Sequence, residues 1–159
     1  MSTTTTMQNA AAAVMMKRMT NWIVCAALAA FATAVPAQGK DVPAASARAI
    51  RTVIEAQLNA FANHDAVKAF SYAAPPIQAM FGNPDNFMRM VRTGYPVVYR
   101  PASVVFLKPE TIDGEVLQAV QMTDNAGQVW MANYRMQQQN DKSWRIGGCQ
   151  VEKSEGRVT

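Results

Sequence analysis

A chain of 159 residues with one histidine, His64, has a narrow choice of catalytic chemistry. One imidazole cannot supply a three-histidine zinc site. A Ser-His-Asp relay would have to form around a residue in a connector, beside an aspartate suited to capping a helix. His64 therefore reads as a turn residue at the surface. The carboxylates read the same way. Asp65 falls at a helix start, and Asp113, Asp124 and Asp141 fall in turns. Glu55 adjoins Ile54 but lies off its apolar stripe, so solvent should hold it. Glu115 opens a strand and can face either side. General-base chemistry needs a carboxylate or imidazole within reach of its proton, and none of these residues is a strong candidate to point inward.

The stronger signals are for binding. "YPVVYRP" at 95–101 combines Tyr95, Tyr99 and Arg100 near two prolines. Arg100 can hold an anion through its planar fork of donors. The tyrosines offer aromatic walls with polar ends. The alternative is an irregular edge strand with an exposed arginine. Gln57 sits inside an apolar helical stripe, so it needs a partner: nearby backbone, or a group in a cavity. Trp130, Tyr134 and Trp144 read as core on the sheet's inner face; given a cavity, they would form its wall beside Gln57. "FMRM" at 87–90 raises Cu(I), because thioethers are soft ligands. Residues two apart on a helix point about 200° apart, so Met88 and Met90 read as packing. Cys149 follows Gly147-Gly148. Simple alternation from Trp144 and Ile146 turns it outward, whereas a bulge at the glycines would turn it inward. Either way it lacks a nearby base and reads as a buried or half-buried unreactive thiol, with an intermolecular disulfide as the alternative. No phosphate-binding glycine loop, Walker motif or dinucleotide fingerprint is present, so no cofactor is expected.

These residues need elements to position them. Ile50, Val53, Ile54, Leu58 and Phe61 recur at helical spacing, with Ser46 as a candidate cap after a loose lead-in over 38–47. Asp65 caps a second helix, whose inner face is read as Val67 and Phe70. "AAPP" stops it. Ile77, Met80 and Phe81 make one turn ending at Gly82. Asn83-Pro84 opens another helix, with Phe87, Met90 and Val91 inward and Gly94 closing it. From Val97 the pattern becomes alternating. Strands are expected over Val97–Leu107, Val116–Met122, Gln128–Gln138 and Ser143–Val151. Turns at Asp113-Gly114, 123–127 and 140–142 separate them. Helices followed by strands predict an α+β fold: N-terminal helices on a curved antiparallel sheet of about four strands. It forms one domain over 48–152 with a tail over 153–159.

The first 37 residues read as a signal peptide. Lys17 and Arg18 precede an apolar run from Trp22 to Ala34, and Val35-Pro36-Ala37 supplies a cleavage pattern before Gln38. The run is shorter than the ~20 residues of a membrane span. "MSTTTTMQNAAAAVMM" is longer than such leaders need, which suggests a start at Met15 or Met16, with 1–14 a mis-assigned start. Cleavage removes Cys25, the only other cysteine, and lowers the formal charge of +4 by two. The remaining charge is dispersed and lacks the basic footprint of a nucleic-acid binder. The mature protein is expected in the periplasm or outside the cell, off the membrane.

The amphipathic first helix, the "NHDAVKAF" turn and the terminal "DKSWRI" strand resemble the nuclear transport factor 2-like superfamily, also called cystatin-like or SnoaL-like. The resemblance implies a sheet wrapped round the first helix as a cone with a cavity. Ile50–Glu152 also resembles a family of secreted bacterial proteins classed only as a domain of unknown function. The carriers are "AFANHDAVKAFSYAAPPIQAMFG", "FMRMV", "YPVVYRP" and "SWRIGGC". A superfamily hairpin between the second helix and "NPDNFMRMV" is missing, so a smaller or more open cavity is expected. Superfamily isomerases and dehydratases place a carboxylate or His–Asp pair in that cavity. Without one, the expected role is non-catalytic binding of a small, partly apolar ligand or a protein partner. Gln57, Tyr95, Tyr99, Arg100, Trp130 and Tyr134 are the candidate contacts. A cavity enzyme using Glu115, or Tyr99 with Gln57, and a homodimeric module are the alternatives.

Overall fold

The computed structural model describes residues 40–154. The leader, its cleavage point, Cys25 and the last five residues lie outside them. Helix α1 spans Ala44–Ala62 and buries Ile50, Ile54, Gln57, Ala60 and Phe61 on one side. It starts directly after Pro43, whose φ of −54° suits a helix entrance, and Ser46 already lies inside it. Ahead of it, Lys40–Asp41 form strand β1, paired with Thr111 and Glu110. The lead-in expected over 38–47 is thus strand and helix from Lys40 onward. Val42 is the reason, since it is a buried member of the core between the two.

α1 ends in a Schellman arrangement. The Asp65 N–H reaches Ala60 O at 2.9 Å, and the His64 N–H reaches Phe61 O at 3.1 Å. The residue at the left-handed position is His64, with φ 57°, where glycine is usual. Asp65 then caps α2 (Ala66–Ser71), its Oδ1 accepting from Lys68 N at 2.9 Å. The buried side of α2 centres on Ala69. Val67 lies about 200° from it on the wheel and is 70% exposed, contrary to the expectation that it faces inward. The last carbonyls of α2 have no helical partner, and long side chains take their place. Gln57 Nε2 donates to Ala69 O at 3.0 Å, Gln78 Nε2 to Phe70 O at 3.1 Å, and Arg145 to Ser71 O.

α3 (Pro75–Phe81) begins at the double proline and ends at Gly82. The φ of 73° at Gly82 favours glycine. α4 (Pro84–Gly94) starts with Asn83 Oδ1 accepting from Asn86 N at 2.9 Å, and with proline at the first helical position. Gly94 is its final residue, and Tyr95 is the cap. Phe87 is the centre of the helical layer, with ring centroids 6.0, 5.5 and 5.6 Å from Phe61, Phe70 and Phe81.

Of the one or two strand segments expected over Val97–Leu107, interrupted at Pro101, only the later one is a strand. Pro96–Tyr99 form a helical turn, α5, and only Ser103–Phe106 form a strand, β2. Pro96 occupies a first-turn position where its missing N–H costs nothing. Tyr95 O collects the Val98 and Tyr99 N–H groups at 3.0 and 2.9 Å. Burial of Val97, Val98 and Tyr99 outweighs their strand propensity.

β3 (Glu110–Ile112), β4 (Glu115–Thr123), β5 (Val129–Gln138) and β6 (Trp144–Lys153) complete an antiparallel sheet of six strands rather than four. Its path runs β1-β3-β4-β5-β6, with β2 also on β4. The two extra strands are short pieces sharing one edge: β3 pairs with Glu115–Leu117, and β2 pairs with Val120–Thr123. Gln118 sits at the changeover, buried, with Nε2 donating to Leu107 O at 2.7 Å and Ala119 O at 2.8 Å. The Asp113-Gly114 turn between β3 and β4 has positive φ at both residues, the geometry of a tight hairpin. On the helix side, Val120, Met122, Ala132, Tyr134, Met136 and Ile146 join α1, α4 and α5 in the core.

β6 slips against β5. Arg135 faces Gly148, but Met136 faces Ile146, so Gly147 is an extra residue in the ladder. That bulge reverses the parity of the strand. Cys149 stands opposite Tyr134, on the helix side, and simple alternation from Trp144 gives the wrong face.

Candidate functional site

Two concavities flank the α4–α5 corner. The inner one is a cavity of ≈ 230 Å³ between the helices and the sheet. Phe61, Phe81, Phe87, Val91, Val98 and Ile146 give it apolar walls, and Gln57, Tyr95, Tyr134 and Cys149 add polar atoms. Tyr134 is 1% exposed, and its hydroxyl has no hydrogen-bond partner among the described residues. Burial pushes the phenol well above its ordinary range, with the Cys149 thiol adding to the effect. The thiol is close enough for a marginal hydrogen-bonding contact that shifts both groups, but the pair does not reach full hydrogen-bond geometry. Burial likewise pushes Cys149 up to about 12, the Tyr134 hydroxyl acting weakly against it. Near neutral pH both groups are therefore protonated. The thiolate is the nucleophilic form of cysteine, so near neutral pH Cys149 rests in its less nucleophilic, protonated form. Gln57, 3% exposed, spends one amide hydrogen on Ala69 O while also lining the cavity.

The outer concavity is an open groove of ≈ 860 Å³. One wall is the α4–α5 corner, with Arg92, Tyr95, Tyr99 and Arg100. The other is the β4–β5 turn with Asp124 and Trp130. Asp124 is occupied by its own turn. Its Oδ1 accepts from Ala126 N and Gln128 N, and its Oδ2 accepts from Trp130 Nε1 at 2.8 Å. The Trp130 bond leads in holding this carboxyl below its usual range. Lys153 Nζ lies 5.4 Å above the Trp130 ring centre.

The six candidate contacts thus divide between the two sites. Gln57 and Tyr134 line the cavity; Tyr99, Arg100 and Trp130 line the groove; Tyr95 lines both. Trp130 does not stand beside Gln57. Glu115 is exposed and faces Arg135 at 3.8 Å, away from either site. Two residues were not among the candidates. Arg92 lies one helical turn before Tyr95, so the spacing itself was a signal. His64 contacts Arg100 through Nε2 and Tyr99 through Nδ1, and its signal was a histidine at a helix end where glycine is usual.

In class, this is an α+β chain whose helices cover one face of an antiparallel sheet and leave a small apolar cavity between the layers. The chain belongs to the family described as Domain of unknown function (DUF4864), whose model matches residues 43–159. No curated protein and no solved structure matches it.

Proposed function

We propose that this chain is an exported, non-catalytic binding domain, and that its cavity holds a small, largely apolar ligand with one hydrogen-bonding group. The observation that carries this reading is the unpartnered Tyr134 hydroxyl at the wall of the cavity. A buried hydroxyl without a partner costs about 1–3 kcal/mol. A ligand carbonyl or hydroxyl placed against it removes that cost. An apolar cavity of about 150 Å³ accommodates benzene. At ≈ 230 Å³ this one suits a ligand of about nine non-hydrogen atoms by the same scaling. The protonated thiol and phenol favour binding over catalysis. The helices laid over one face of the sheet support the nuclear transport factor 2-like reading, and the leader motif supports export.

The test is native mass spectrometry of protein produced with its leader and recovered from the periplasm, followed by calorimetry with acetophenone. A retained small molecule, or saturable acetophenone binding weakened by Tyr134→Phe, supports the proposal. A bare mass with no acetophenone binding contradicts it.

A further inference from the structure

The groove carries an independent inference. Two guanidinium groups, Arg92 and Arg100, line it together, and neither has a carboxylate within 4.0 Å among the described residues. Arg100 is instead held by His64, with Nη2 at 2.7 Å from His64 Nε2. A guanidinium only donates, so His64 Nε2 must accept. The ring proton then resides on Nδ1, which lies 2.7 Å from Tyr99 Oη. Tyr99 accepts that proton's bond, which leaves its own hydroxyl hydrogen for another acceptor. The arrangement presents arginine donors and a tyrosine O–H in a groove that Tyr95 and Trp130 also line.

His64 holds Arg100 from an unfavourable backbone position. It takes the left-handed place at the end of α1, a conformation that disfavours any residue but glycine. Glycine would close the helix equally well and would leave Arg100 unheld. Strain of this kind concentrates where a side chain has work to do.

We propose that the groove binds a small organic monocarboxylate with a flat apolar body. Arg100 and Arg92 contact the carboxylate, Tyr95 and Trp130 flank the body, and His64 is a positioning residue acting through Arg100 and Tyr99. A carboxylate matches the guanidinium fork in a two-bond contact. Asp124 and Glu152 on the rim offset the charge of the two arginines, which favours a singly charged anion over a dianion such as phosphate.

The experiment uses untagged protein and benzoate as the probe. Because the chain has one histidine, imidazole resonances report His64 alone. The free protein should show the Nδ1–H form, and benzoate should shift these resonances saturably. By calorimetry, benzamide, the uncharged analogue, should bind at least about tenfold more weakly, about 1.4 kcal/mol. Arg100→Gln should weaken benzoate by a similar factor, and Arg92→Gln should weaken it less. Arg51→Gln, which removes a charge on the exposed side of α1, should leave benzoate affinity unchanged. His64→Gly should lower benzoate affinity while leaving the protein folded and at least as stable, an outcome a purely structural histidine would not give. No saturable shift, equal affinity for benzamide, or indifference to both groove arginine substitutions would each overturn the proposal.

Discussion

Tyr134→Phe tests the cavity by the sign of its effect. Removing a tyrosine hydroxyl that makes a hydrogen bond usually destabilises by about 1 kcal/mol. Here the ring is 1% exposed and the hydroxyl has no partner among the described residues. The substitution therefore removes an unmet desolvation cost of about 1–3 kcal/mol and leaves every ring contact in place. The ligand-free variant should be more stable by about 1–2 kcal/mol, which for a domain of this size raises Tm by roughly 4–10 °C. Acetophenone should lose a hydrogen bond and bind about five- to tenfold more weakly. Thermal denaturation by circular dichroism reads the first effect and calorimetry the second. A fall in Tm would mean that the hydroxyl already has a partner, a trapped water or the Cys149 thiol. The cavity would then lack the unmet group on which the functional reading rests.

Other substitutions separate packing from binding. Phe87→Ala removes the ring on which Phe61, Phe70 and Phe81 converge and should cost about 3–5 kcal/mol in urea unfolding. Gln57→Leu keeps the bulk but strips the cap from Ala69 O, at a cost of about 1–3 kcal/mol; an unchanged urea midpoint would refute that capping role. With Cys149 raised to about 12 against an ordinary value of 9.0, native protein near pH 8 should react with a thiol reagent far more slowly than urea-unfolded protein. The same shift sets an alkaline limit. Above about pH 9 the unfolded chain releases a thiol proton that the folded chain keeps, so the thiol lowers stability by about 1.4 kcal/mol per pH unit until about pH 12. Above about pH 10 the raised Tyr134 phenol adds to the fall in the same sense. Cys149→Ala should make that decline shallower, and an unaltered slope would argue against a desolvated thiol at this half-buried position.

What the sequence made legible was chemistry carried within a few residues. Asp65 and Asn83-Pro84 cap helices because their side chains reach backbone two or three positions on, and Asp113-Gly114 turns because both residues tolerate positive φ. The stripe through Ile50, Ile54 and Phe61 was readable because a single helix period generates it. Where an outcome depended on distant partners, local signals pointed the wrong way. The valines and tyrosine after Pro96 favour strand, yet burial against the core makes them a helical turn. The face of Cys149 depends on whether Gly147 is paired or extra, a property of two strands together. The sites follow the same division. "YPVVYRP" marked the groove because Tyr95, Tyr99 and Arg100 are neighbours in the chain. His64 lies 36 residues before Arg100, and nothing local joins them. The local trace of that contact is a mismatch, histidine in a glycine's place, and a residue that strains its own turn is a reason to look for what its side chain holds.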